Sequence, residues 1–162
     1  SALATLPALP GRGAVHVIPW GGGNIRLIDD SYNANPESMA SALKTLGHMK
    51  PDGGHRVAIL GDMLELGEIS AAAHAALKTQ IEKNGIDRVF LVGTEMEALA
   101  KTLDASVLGG ISENADGLLP MVLSGLQAGD VVTVKASNGI GLSRIVNTLT
   151  DPATLKPAAN GN

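Results

Sequence analysis

Short runs rich in Val, Ile and Leu alternate along the chain with longer segments whose apolar residues recur every three or four positions, the periods of strand and helix. Ala14 to Ile18 and Asn24 to Asp29 read as the arms of a hairpin, joined by Pro19, Trp20 and the Gly21, Gly22, Gly23 turn. Asn35 is placed as a helix N-cap, with Pro36 at the first helical position and Met39, Leu43 and Leu46 at helical spacing behind it. His55 to Leu60 is a short apolar strand ending at Gly61, and Ser70 to Asn84 a long helix with Gly85 as its left-handed terminator. Asp87 to Val92 is a buried-type strand. Thr94 with Glu97 three residues later predicts a capping box at the head of a helix through Leu103. Ser106 to Leu108 is a short strand, Ser112 to Leu126 a helix that must tolerate Pro120, Asp130 to Lys135 a strand, and Gly141 to Leu149 the last helix.

Strands alternating with helices predict an α/β, Rossmann-like fold: a mostly parallel twisted sheet of about six strands, one antiparallel from the initial hairpin, with helices on both faces. Residues 1–150 form one domain on this reading. The segment 151–162, built from Pro, Ala, Asn and Gly among others, is expected to be a frayed tail. Ligands of such sheets bind outside the carboxyl ends of the strands, so the loops Asp29 to Asn35, Gly61 to Glu68, Gly93 to Thr94 and Ala136 to Gly139 are expected to gather there.

Composition narrows the chemistry. Twelve Lys and Arg against sixteen Asp and Glu give a formal charge of −4, which offers no electrostatic footprint for nucleic acid or anionic lipid. No apolar run approaches the roughly 20 residues of a bilayer span, and no targeting segment heads the chain, so no membrane insertion and a cytoplasmic location are expected. Without cysteine, chemistry rests on Asp, Glu, Lys, Arg, Ser, Asn or His. The histidines His16, His48, His55 and His74 show no metal-ligand spacing and read as fillers of core or surface. Neither GxxxxGK[ST] nor GxGxxG occurs, so the chain carries no phosphate cradle of either kind.

Three loops hold the polar residues that remain. Asp29 to Pro36 offers two carboxylates, hydroxyl and amide side chains and a helix N-terminus; a carboxylate there suits ribose hydroxyls, while an Asx turn plus N-cap accounts for Asn35 without a ligand. Asp62 and Glu65 stand three apart between Gly61 and Gly67, a pair suited to an ammonium group or to the solvated side of an amphipathic turn. Lys135, Ala136, Ser137, Asn138 and Gly139 end a buried strand and open a helix, presenting a cation, a hydroxyl and backbone N–H groups to an anion; a snorkelling strand-end lysine is the other reading. Arg12, between Gly11 and Gly13, has the fork geometry for phosphate.

Taken in order, Leu9-Pro10-Gly11-Arg12-Gly13, Asp29 through Met39, Gly61 through Gly67, and Val134-Lys135 with Ser137 resemble the motifs of the Mur ligase C-terminal domain, and within that family the type that adds D-alanyl-D-alanine. The resemblance spans residues 9 to 149 or so. It implies ATP-driven joining of D-alanyl-D-alanine to UDP-N-acetylmuramoyl-tripeptide in peptidoglycan synthesis, with ATP and Mg2+ as the substrate complex and an acyl phosphate as intermediate. It also implies that the P-loop and metal ligands lie in a central domain and the nucleotide-sugar in an N-terminal one. Neither is in this chain, whose start at Ser1, a few residues before a motif, is expected to be an interdomain boundary. The domain alone is then expected to carry no catalytic residue and no metal ligand, and to be inactive.

By the same resemblance Arg12 reaches the ATP phosphates, Asp30 the ribose, and Asn33 and Asn35 shape the nucleotide side, whereas Asp62, Glu65, Lys135 and Ser137 surround the incoming dipeptide. Ala136 and Asn138 stand where many relatives carry glycine and arginine. Two other readings fit the residues: a free-standing nucleotide or peptide binding module, and a folylpolyglutamate synthase-like ligase of the same superfamily.

Overall fold

The computed structural model describes residues 9–153. Its six-stranded sheet has the order β1-β2-β6-β3-β4-β5, made of β1 (Ala14–Trp20), β2 (Gly23–Asp30), β3 (Arg56–Gly61), β4 (Arg88–Val92), β5 (Leu108–Ser112) and β6 (Val131–Lys135). Only β1 runs antiparallel, as the outer arm of the hairpin with β2; the other pairings are parallel. The helices are α1 (Pro36–His48), α2 (Ser70–Ala75), α3 (Leu77–Lys83), α4 (Glu97–Ala100), α5 (Ala115–Gly125) and α6 (Ser143–Thr150).

Strand residues alternate between two cores, as a sheet covered on both faces requires. Val57 and Ile59 of β3 join Phe90, Val132 and Val134 beneath α5 and α6. Ala58 and Leu60 join Val89, Leu91 and Val131 beneath α1, α3 and α4, where Met39, Leu43 and Leu46 form the buried stripe of α1. The expected fold class is therefore met. The hairpin turn is tighter than expected: Pro19 and Trp20 pair with Asn24 and Gly23, leaving Gly21 and Gly22, both with positive φ, to close it.

Three other expectations need correction. The long helix breaks at Ala76 into α2 and α3, although Gly85 does take the left-handed conformation after it. The short strand lies at 108–112, not 106–108. Gly109 and Gly110 hide it in the sequence; a Cβ at Gly109 would stand 2.7 Å from the buried Phe90 ring, so the close packing demands glycine there, while one at Gly110 would meet the movable Met121 side chain. The capping box at Thr94 and Glu97 does not form: α4 is four residues long and has no side-chain cap of its own. Of the expected tail, residues 154–162 lie outside the described residues.

Neighbouring strands β2 and β6, like β6 and β3, send the helices that follow them to opposite faces, α1 and α3 to one side and α6 to the other, so a crevice opens outside their carboxyl ends.

Candidate functional site

All four strand-to-helix loops meet at that end of the sheet, and hydrogen bonds cross between them. Parallel pairing sets Asp30 of β2 beside Lys135 of β6, and the Lys135 ammonium donates to Asp30 Oδ2 at 2.7 Å and to the Asn33 carbonyl at 3.1 Å. Lys135 is only 4% exposed, so its charge is committed within the protein. Two residues assigned by resemblance to different ligands thus bind each other.

The segment around Arg12 is tied to the same loop. Gly11 N–H donates to Asp29 Oδ2 (2.8 Å), Gly13 N–H to the Asp29 carbonyl (2.7 Å), and Tyr32 N–H to the Gly11 carbonyl (2.9 Å). Gly11 has φ +78, and a Cβ there would lie 3.0 Å from that of Tyr32, so this approach of two backbones needs glycine. The exposed Arg12 guanidinium sits 4.0 Å over the Tyr32 ring, free to form a fork to an anion from a stacked platform. Beyond it, Asn35 is the N-cap of α1. Its side-chain oxygen accepts from Ser38 N–H (2.8 Å), and Ser38 Oγ accepts from Asn35 N–H (3.0 Å), a reciprocal cap that uses Ser38 in the place usually held by Glu or Gln.

On the dipeptide side, three of the four expected residues are buried and engaged. Asp62 Oδ1 and Oδ2 accept the N–H groups of Met96 (2.9 Å) and Glu95 (3.2 Å), which is what replaces the missing capping box at the start of α4. Burial pushes the Asp62 carboxyl above its ordinary pKa despite the opposing effect of those two amides. Ser137 Oγ accepts from Leu64 N–H at 2.9 Å, and Ser137 N–H donates to the Asp62 carbonyl at 3.1 Å. Asp62 is buried and does not line the cleft that Glu65 lines, and Ser137 stitches the β6 loop to the β3 loop.

Glu65 is the exception. It is exposed, and it takes φ +64, the left-handed conformation that side chains with a Cβ rarely adopt. With Asn33, Asn35, Leu64, Ser137, Asn138 and Gly139 it lines a cleft of about 410 Å³. Asn138, exposed on this rim, is not among the expected ligand-binding residues; the sequence marks it through its place in the last loop and its departure from the family's pattern there. A negative carboxylate, amide groups and backbone form the rim, which suits a small ligand with an ammonium group and hydrogen-bonding ends.

Among the described residues, no three His, Asp or Glu side chains converge as a metal-ligand set. No helix among them is long and apolar enough to cross a membrane.

Comparison with known proteins gives this end of the sheet a context. The family model described as Mur ligase, glutamate ligase domain matches residues 15–138. The UDP-N-acetylmuramoyl-tripeptide–D-alanyl-D-alanine ligase of Escherichia coli is 35% identical over 155 residues, covering 94% of this chain and 32% of that enzyme. The corresponding ligase of Rickettsia prowazekii is 31% identical, covering 90% of this chain and 31% of its own length. The crystal structure of MurF ligase from Thermotoga maritima in complex with ADP superposes with a TM-score of 0.76 at 27% identity, over 96% of this chain and 34% of that one. The chain therefore spans about a third of the length of the relatives it matches. It belongs to the Mur ligase, glutamate ligase domain family.

Proposed function

We propose that this chain is the C-terminal part of the ATP-dependent ligase that joins D-alanyl-D-alanine to UDP-N-acetylmuramoyl-tripeptide, a cytoplasmic step of peptidoglycan synthesis. The observation that carries this reading is the convergence of the Arg12, Asp30 and Glu65 loops on one end of the sheet, with Arg12 and Glu65 exposed there and Lys135 holding Asp30 in place. A cation suited to phosphate and a carboxylate suited to an ammonium group, in loops at one end of the sheet, fit a reaction between an acyl phosphate and an amine.

In that reaction the tripeptide carboxylate takes the γ-phosphoryl group of ATP. The dipeptide ammonium first gives up a proton to solvent; its neutral nitrogen then bonds to the acyl carbon while the acyl C–O bond breaks, inorganic phosphate leaves with the electron pair, and the nitrogen loses a second proton as the amide forms. Arg12 contacts the phosphates, the Asp30 loop the ribose, with Asn33 and Asn35 on its nucleotide side. Glu65 pairs with the dipeptide ammonium, and Asn138 offers its amide to the other end. Lys135, Asp62 and Ser137 fix the three loops relative to one another, so that reacting groups meet in a defined geometry. Magnesium accompanies ATP and would supply charge neutralisation on the phosphates when bound; among the described residues no three His, Asp or Glu side chains converge on a site for it. The P-loop, the central domain and the nucleotide-sugar domain belong to the remainder of the ligase, with which this domain closes over its substrates.

The test compares two proteins. The 162-residue chain is expected not to hydrolyse ATP. The same chain joined to its preceding domains is expected to release phosphate only when tripeptide and dipeptide substrates are both present, one phosphate per amide formed. Sustained turnover by the chain alone, or a longer protein that makes no amide, overturns the reading.

A further inference from the structure

We propose that His74 is a positioning residue for the loop that carries Glu65, acting through the peptide nitrogen of Met63; only the ligand of Glu65 rests on the ligase reading. Where β3 leaves the sheet at Gly61, the next three backbone N–H groups go to three different parts of the molecule. Asp62 N–H donates to the Val92 carbonyl of β4 (3.1 Å), Met63 N–H to His74 Nε2 of α2 (3.0 Å), and Leu64 N–H to Ser137 Oγ after β6 (2.9 Å). Glu65 follows directly, in its left-handed conformation. Such a conformation in a residue with a Cβ persists only where the surroundings over-determine it, and three clamped amides in succession do that.

Two of the three clamps, His74 and Ser137, are side chains; Ser137 also joins the β6 loop to the β3 loop, whereas His74 reaches the loop from α2. Its imidazole is fully buried. Because Nε2 accepts an N–H, the ring proton sits on Nδ1, which donates to the Ser70 carbonyl at 2.7 Å. Ser70 Oγ, 3.2 Å from the same nitrogen, donates to Glu95 Oε1 at 2.7 Å. Glu95 is in turn held by its own N–H on Asp62 Oδ2. The chain of contacts therefore runs from Asp62 through Glu95, Ser70 and His74 back to Met63, the neighbour of Asp62. A core filler at this position needs volume only; an imidazole with both nitrogens engaged fixes the direction of one peptide plane two residues before Glu65.

Two variants separate positioning from packing. In His74→Leu the volume is kept and the acceptor is lost, so the Met63 N–H is buried without a partner. In His74→Gln the side-chain oxygen accepts from Met63 and the amide nitrogen donates to Ser70. In the full-length ligase, H74L is expected to raise the KM for D-alanyl-D-alanine about tenfold while the KM for ATP stays within about twofold, and H74Q is expected to restore most of the loss. Equal changes in both KM values, or H74Q as impaired as H74L, overturn the proposal. In the 162-residue chain, imidazole nitrogen shifts are expected to report the Nδ1–H tautomer of His74, with slow exchange of the Met63 amide; an Nε2–H tautomer overturns the proposal whether or not H74L folds. A wild-type ligase that makes no amide, with the tautomer as expected, counts against the ligase reading and leaves the positioning role standing.

Discussion

Lys135 Nζ lies 2.7 Å from Asp30 Oδ2, across a register that pairs these two residues at the last step of the parallel ladder between β2 and β6. The pair joins the nucleotide-side loop to the strand that carries the dipeptide-side loop. Lys135→Met removes the cation and leaves the Asn33 carbonyl and the Asp30 carboxylate without their shared donor. Because Asp30 retains partial exposure, at 29% of its side chain, the expected loss is about 2 kcal/mol, less than for a fully buried pair. Urea unfolding of the 162-residue chain measures it. Unchanged stability would instead make Lys135 a residue held for a ligand.

Asp62 gives a pH dependence whose sign is fixed by its burial. Its carboxyl is raised from 3.8 in the folded chain, so between that value and the raised one the folded state binds more protons than the unfolded state. This group's contribution to stability is therefore complete below pH 3.8 and is lost as the pH rises through the raised pKa. Asp62→Asn removes the titration. The stability of the wild type relative to D62N is expected to decline as pH is raised from 3.8 toward neutrality, measured by denaturant unfolding at several pH values. A difference that stays flat, or that grows with pH, contradicts the assignment.

Glu65 carries a conformational cost that glycine does not. Glu65→Gly is expected to leave the chain as stable as the wild type or more so, by up to about 1 kcal/mol, while abolishing the carboxylate. Glu65→Gln keeps the cost and loses the charge. In the full-length ligase both variants are expected to raise the KM for D-alanyl-D-alanine about tenfold. A pair of variants with normal KM would show that the left-handed residue serves the loop alone.

Much of the fold is legible in the sequence because its signals are local. The stripe Met39, Leu43, Leu46, the Asn35-Pro36 start and the apolar run of β3 each depend on residues a few positions apart. The errors fall where distant residues decide. Thr94 and Glu97 have the spacing of a capping box, yet the amides at that helix start are taken by Asp62, more than thirty positions earlier. β5 is hidden because its Gly109 answers to Phe90 in another element.

The candidate site divides the same way. Its loops could be picked out by residue type, and Arg12 and Glu65 are exposed in them. Which carboxylates face outward could not be read, because the parallel register decides that Lys135 meets Asp30, and the tertiary fold decides that Asp62 turns toward α4. His74 looked like a filler because its partner is a backbone N–H, which leaves no trace in residue identity.

The most direct test of the central claim, that substrates meet at the carboxyl ends of β2, β3 and β6, is a backbone amide shift map of the 162-residue chain with ATP and D-alanyl-D-alanine added separately at saturating concentration. The account predicts that ATP moves the amides of Gly11 to Gly13 and Asp30 to Asn35, and that the dipeptide moves those of Leu64, Glu65, Asn138 and Gly139. Shifts at the opposite strand ends, around Arg56, Arg88 and Val131, would contradict it.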